Sequence, residues 1–219
     1  MYHIAPTMLC ADVMKLKENI ETLDDLGIDW FHIDIMDGNF VPNFAIGTDC
    51  LRQMIQVGKH PFYAHLMVMK PEEYVDVFAD LGVDYYCFHY EATKNPFRLC
   101  QRIHQRGMKA AIALNPSTSV SVLKDILPYL EAVTLMSVEP GFSGQSFFEF
   151  TYERIQELRE MSDGHCLHIE IDGGADNEIS KKCLEFGADV IVGGYFTLFQ
   201  KEQTLEENYK EFQRCIREA

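Results

Sequence analysis

Residues 3–27 read HIAPTMLCADVMKLKENIETLDDLG, and the two halves of this stretch follow different rules. The run 3–10 is apolar and short, as a strand is, whereas Val13, Leu16, Ile20, Leu23 and Leu26 recur at steps of three and four, the spacing of one helical face. Asp12 stands where an N-cap carboxylate accepts free backbone N–H groups, and Gly27 where a left-handed residue stops a helix. The stretch is predicted to be one β-strand followed by one α-helix.

Outward from this unit the same punctuation recurs. Strands are predicted near 3–10, 30–36, 62–68, 84–89, 109–114, 132–138, 167–172 and 189–193, with helical patterns filling the gaps. Pro71 suits a first helical turn, and Leu81-Gly82 and Phe186-Gly187 read as helix ends. Strict alternation of strand and helix implies a parallel sheet covered by helices. Eight such units in 219 residues fit a closed (β/α)8 (TIM) barrel, an α/β fold. An open doubly wound sheet would carry a glycine-rich phosphate loop after its first strand, and Thr7-Met8-Leu9-Cys10 is not one. No linker-like or low-complexity tract divides the chain, so a single domain is expected over 1–219.

With 47% hydrophobic and 24% charged residues the composition is that of a globular protein. A net charge of −15 argues against a non-specific grip on nucleic acid or anionic membrane, so an anionic ligand must be held by local groups. The seven cysteines are odd in number and lack CxxC spacing, which predicts reduced thiols and a cytoplasmic location. No charged leader opens the chain, and no apolar run reaches the ~18 residues of a membrane span.

In a barrel the C-terminal strand ends form one mouth. Strand two ends in His32-Ile33-Asp34-Ile35-Met36-Asp37-Gly38, strand three brings His65, and strand seven reads His168-Ile169-Glu170-Ile171-Asp172-Gly173-Gly174. Residues two apart share a side of a strand, so His32 pairs with Asp34, and Asp172 lies at the mouth above Glu170 and His168. Any one of these would read as a rim hydrogen-bonder. Together, His32, Asp34, His65 and Asp172 read as ligands of one divalent ion, with zinc, iron, manganese and cobalt equally suited. His168 and Glu170 lie deeper and are expected to be structural, and His3, His60, His89, His104 and His165 receive no role.

Met36, Met67 and Met136 also fall at strand ends, where uncharged thioethers would exclude water without competing as acids. Glycines mark three loops, at Pro140-Gly141-Phe142-Ser143-Gly144-Gln145, Gly173-Gly174 and Gly193-Gly194. The last two follow strands seven and eight, where barrels hold phosphate on backbone N–H groups.

The segments Ile4-Ala5-Pro6-Thr7-Met8-Leu9, His32 to Gly38, Phe40-Val41-Pro42-Asn43, His65-Leu66-Met67-Val68, Met136 to Phe142 and Asp172-Gly173-Gly174 resemble the ribulose-phosphate 3-epimerase family in order and spacing. The resemblance implies a barrel of the ribulose-phosphate-binding type with one divalent metal on His32, Asp34, His65 and Asp172. It also makes Asp34 and Asp172 the acid and base. A sugar phosphate would be held by Thr7, His65, Gly141, Phe142, Ser143, Gly144, Gly173, Gly174, Gly194 and Tyr195. Such enzymes are often dimers or hexamers, so a homo-oligomer is expected.

Removing a C3 proton and returning one to the opposite face, through an enediolate, suits two opposed carboxylates. The pattern departs from the family at Thr7 (usually serine), Ser143 (glycine) and Glu139 (asparagine). The stretch Gly193-Gly194-Tyr195-Phe196-Thr197-Leu198-Phe199 is one residue longer than usual and resembles the allulose-6-phosphate 3-epimerase branch. Ser137 and Ile46-Gly47 resemble the pentulose-phosphate enzymes. The expectation leans to D-allulose 6-phosphate ⇌ D-fructose 6-phosphate, with D-ribulose 5-phosphate ⇌ D-xylulose 5-phosphate as the alternative. Phosphate-barrel decarboxylases and aldolases use Asp-x-Lys-x-x-Asp, and Met36 occupies the lysine place here. A non-catalytic sugar-phosphate binder would be expected to lose a ligand, and none is lost.

Overall fold

The structure, a computed structural model, describes residues 2–162 and 165–217, so residues 1, 163–164 and 218–219 of the expected domain lie outside it. Eight parallel strands are observed: β1 His3–Pro6, β2 Phe31–Met36, β3 Phe62–Met67, β4 Tyr85–His89, β5 Lys109–Leu114, β6 Ala132–Met136, β7 His168–Asp172 and β8 Val190–Gly193. They pair in the order β1-β8-β7-β6-β5-β4-β3-β2. The two ends of that order meet through one parallel bridge, Thr7 to His32, which nearly closes the barrel.

Side-chain alternation builds two separate cores. Phe31, Ile33 and Ile35 of β2 face outward, and with Phe62, Leu66, Phe88, Ile112, Leu135, Ile169 and Ile191 they join the apolar shell under the helices. The intervening residues point inward. Trp30, Tyr63 and Tyr85 fill one side of the interior, and Ala5, Ala111, Ala113 and Ala132 leave them room on the other. Large rings against small alanines let a narrow barrel pack without voids below its polar mouth.

Seven α-helices are present among the described residues: α1 Leu16–Leu26, α2 Thr48–Val57, α3 Val75–Leu81, α4 Pro96–Gln105, α5 Thr151–Met161, α6 Asn177–Glu185 and α7 Leu205–Arg217. The expected helix between β5 and β6 is replaced by two 3-10 turns, Val120–Leu123 and Leu127–Tyr129. Pro116 and Pro128 bracket a short Ser/Thr-rich segment that cannot sustain an α-helical ladder. Arg154 of α5 ties this connection down, donating to the carbonyls of Met136 (3.0 Å), Asn115 (3.0 Å) and Thr118 (3.1 Å).

Two expectations at the N-terminus are corrected. β1 stops at Pro6 because Thr7 accepts the Leu9 N–H and bends the chain into a 3-10 turn. Asp12 caps a separate 3-10 turn, Val13–Lys15, rather than α1, so Val13 is 71% exposed and lies off the buried face. Gly27, at φ +73°, ends α1 as expected. β6 also ends two residues early, at Met136, where Ser137 turns its hydroxyl to the Asp172 carbonyl (2.9 Å).

Candidate active site

Strand register assembles the mouth. Asp34 pairs with His65 across β2 and β3, and Met136 with Asp172 across β6 and β7. His32 Nε2 lies 3.2 Å from His65 Nδ1, 3.4 Å from Asp34 Oδ1 and 3.6 Å from Asp172 Oδ2. His65 Nδ1 lies 3.2 Å from Asp34 Oδ1 and 3.3 Å from Asp172 Oδ2. Four donors at about 2.0–2.1 Å from a tetrahedral ion sit about 3.4 Å from one another. The five separations match five of the six edges of one such tetrahedron, all four donors lie within 4.8 Å of one another, and two imidazoles with two carboxylates are the donor set of a divalent transition ion.

The electrostatics agree with that fit. Burial opposes charge on His32, but Glu170 and Asp34 overcome it and hold the imidazole pKa well above the usual histidine value. His65 is also raised: burial again opposes, and its hydrogen bonds to the Asp172 and Asp34 carboxylates prevail. Burial would raise the Asp34 carboxyl, yet His32 and His65 hold it well below the usual carboxylate range. The pocket therefore favours positive charge at its centre.

Each donor is buttressed from behind. Thr7 Oγ1 donates to Asp34 Oδ2 (2.5 Å), leaving Oδ1 for the cluster. The other nitrogen of His32, Nδ1, is 3.2 Å from Glu170 Oε1. Glu170 is itself fixed by Thr134 Oγ1 (2.8 Å) and Trp30 Nε1 (3.2 Å). His65 Nε2 meets His89 Nε2 at 2.9 Å. Glu170 and His89 touch the cluster directly, although the sequence reading took Glu170 as structural and gave His89 no role. The signal for Glu170 lay in the alternation, since it sits below Asp172 as His32 sits below Asp34. No comparable pattern marks His89.

The remaining histidines stay structural. His3 pairs with Asp29 (2.7 Å), His60 with Asp24 (2.8 Å) and His104 with Glu131 (3.2 Å). The His168 ring packs edge-on against Trp30 below the site, and the His165 backbone N–H closes a turn onto Ser162.

A cleft of about 580 Å³, counting its solvent-filled mouth, opens directly above the cluster. Asp34 and Asp172 form its floor, and Met36, Met67 and Met136 its apolar wall. Thr7, Gly141, Phe142, Ser143, Gly144, Gly173, Gly174, Gly194 and Tyr195 surround the rest, so every expected substrate residue except the buried His65 lines one cleft. Cys10 also lines it. Burial, with Asp34 nearby, pushes its thiol up to about 12, so it is neutral at physiological pH.

The rim above the His/Asp cluster is built largely of backbone. Gly174, at φ +67°, has no room for a Cβ, which would stand 2.8 Å from both Gln145 O and Phe147 N. Among the described residues, no hydrogen bond uses the N–H of Gly144, Gly174 or Phe196. Backbone donors so exposed can hold an anion on an otherwise acidic protein.

Comparison with known proteins agrees with this geometry. A ribulose-phosphate 3-epimerase from Eremothecium gossypii is 41% identical over 202 residues, covering 87% of this chain and 84% of its own. Those from Synechocystis (41% over 196 residues; 87% and 85% covered) and Methanocaldococcus jannaschii (37% over 215 residues; 96% and 91%) are similar. Among solved structures, phosphoribosyl anthranilate isomerase from Thermus thermophilus matches with TM-score 0.71 at 12% identity, covering 99% of this chain and 100% of its own. Orotidine 5'-phosphate decarboxylase from Pyrococcus horikoshii matches with TM-score 0.69 at 16% identity, covering 98% and 99%. These two share the barrel alone. The sequence model of the ribulose-phosphate 3 epimerase family matches residues 3–198, a span that holds all four clustered donors and every glycine loop of the cleft, and the chain belongs to that family.

Proposed function

We propose that this protein is a divalent-metal-dependent 3-epimerase interconverting D-ribulose 5-phosphate and D-xylulose 5-phosphate. The observation that carries the reading is the convergence of His32, Asp34, His65 and Asp172 beneath one cleft rimmed by backbone N–H groups. A divalent ion held by these four residues would act as a Lewis acid on the ketose oxygens, a contribution worth several kcal/mol.

The chain's own groups supply the proton transfers. Asp34 and Asp172 enter from β2 and β7, on different sides of the mouth, as a base and an acid addressing the two faces of C3 must. Asp34 starts as the base, and the Thr7 hydroxyl fixes its orientation. Met36, Met67 and Met136 keep water from the carbanion-like centre. Gly144, Gly174 and Phe196 offer N–H donors to the phosphate.

The lean to a six-carbon substrate is replaced by the pentulose alternative. The curated relatives are named ribulose-phosphate 3-epimerases. The longer stretch after β8 is taken up in a local turn, in which the Gly194 carbonyl accepts from the N–H groups of Thr197 (3.2 Å) and Phe199 (3.1 Å), and Tyr195, half exposed, stands on the wall of the cleft. The test is kcat/KM for ribulose 5-phosphate and allulose 6-phosphate under one set of conditions; higher efficiency on the hexulose phosphate would overturn the substrate assignment.

A single-domain, homo-oligomeric, cytoplasmic enzyme completes the reading. All seven cysteines are free, in keeping with a reducing compartment. No helix among the described residues is long and apolar enough to cross a membrane.

A further inference from the structure

A histidine can ligate a metal only through a nitrogen that carries no proton, so something must decide which ring nitrogen of His65 is bare. Its Nδ1 faces the cluster, and its Nε2 meets His89 Nε2 at 2.9 Å. One proton is shared across that contact. If His89 supplied it, His65 would carry its own proton on Nδ1 and could not bind the ion. If His65 supplies it, Nδ1 is bare and His89 must hold its proton on Nδ1.

The structure shows what favours the second arrangement. His89 is fully buried at the end of β4, its ring stacked on that of His65 at 22° between planes, and both rings are walled off from water. His89 Nδ1 points to Glu91 Oε2 at 3.6 Å, too long for a direct hydrogen bond but close enough for a carboxylate to stabilise an N–H. His89 Nδ1 and the Asn115 side-chain oxygen are both buried without a hydrogen-bond partner. Glu91 is itself held in place by the Asn115 backbone N–H (2.9 Å) and by the Thr118 hydroxyl.

We propose that Glu91, acting through His89, is a positioning residue that selects the tautomer of His65 and so keeps its Nδ1 free for a divalent ion. The proposal rests on the metal reading above. It places Glu91 and His89 outside the reacting centre, with an effect on metal affinity rather than on proton transfer.

The experiment uses the full chain labelled with 15N-histidine, with Zn2+ as the probe. In the loaded wild type, ring-nitrogen NMR should find protons on His65 Nε2 and His89 Nδ1. Glu91→Leu, which removes the acceptor, should weaken Zn2+ binding about 10–100-fold in chelator competition. Glu91→Gln, which keeps a carbonyl oxygen, should recover part of the loss. A proton on His89 Nε2 in the wild type would overturn the proposal whether or not the variants fold. So would a folded Glu91→Leu protein with wild-type affinity. Wild-type protein that takes up no Zn2+ would remove the metal reading itself, and this inference with it, a result distinct from unchanged affinity in a variant.

Discussion

His32 and Glu170, 138 residues apart in sequence, stand side by side inside the barrel with Nδ1 and Oε1 3.2 Å apart and both side chains fully buried. The carboxylate turns the His32 ring so that Nε2 faces Asp34 and Asp172. Glu170→Gln keeps the shape and one acceptor but removes the charge. It should lower divalent-ion affinity by about 10–100-fold while shifting thermal stability much less. Isothermal titration of the metal-free variant checks this; unchanged affinity would make Glu170 a packing residue only.

The same carboxylates set a pH dependence. Protons and a divalent ion compete for His32 Nε2 and His65 Nδ1, whose pKa values are raised by Glu170, Asp34 and Asp172 against the opposing effect of burial. A raised folded-state pKa stabilises the metal-free protein fully below the unfolded value of about 6.5, and that contribution is lost as pH rises through the folded pKa. The metal-loaded protein has neutral imidazoles and escapes this loss. The Tm gap between loaded and metal-free protein should therefore widen as pH rises above about 6.5. A gap that narrows over that range would contradict the competition.

Asp34 and Asp172 carry both charge and the proposed proton transfers, so their variants need two measurements. Asp34→Asn and Asp172→Asn should each lose about 10²–10⁴-fold in kcat once loaded to the same metal content. Wild-type turnover in deuterated water should place deuterium at C3. Product free of deuterium at both early and late conversion would exclude two carboxylates that exchange with solvent.

Gly174 tests the backbone rim. At φ +67°, with backbone atoms 2.8 Å from where a Cβ would stand, Gly174→Ala strains the chain and displaces residues 145–147. The expected cost is about 1–3 kcal/mol of stability. KM should rise more than kcat falls, because the altered groups are the proposed phosphate donors and take no part at C3. A fall in kcat at constant KM would place the loop in the chemistry instead.

The barrel was legible because its signals are local. Alternation along Phe31 to Met36 and along His168 to Asp172 separates inward from outward side chains, and Gly27 and Gly82 end helices by backbone conformation alone. Failures came where a local pattern had two outcomes. Val13 fits the helical period of α1 but belongs to a preceding 3-10 turn, and the segment after β5 forms two 3-10 turns where a helix was expected.

The sequence by itself determined that His32, Asp34, His65 and Asp172 share the inner side of their strands, because parity in a strand is a one-dimensional property. Only the tertiary structure decided which ring nitrogens face the centre, that Glu170 stands behind His32, and that His89 and Glu91 stand behind His65. Those relations depend on strand register and barrel closure, which bring together residues from β2, β3, β4 and β7 at distances of about 3 Å, where one hydrogen bond selects one orientation. Period alone carries no information about register, so no reading of the separate strands could supply it.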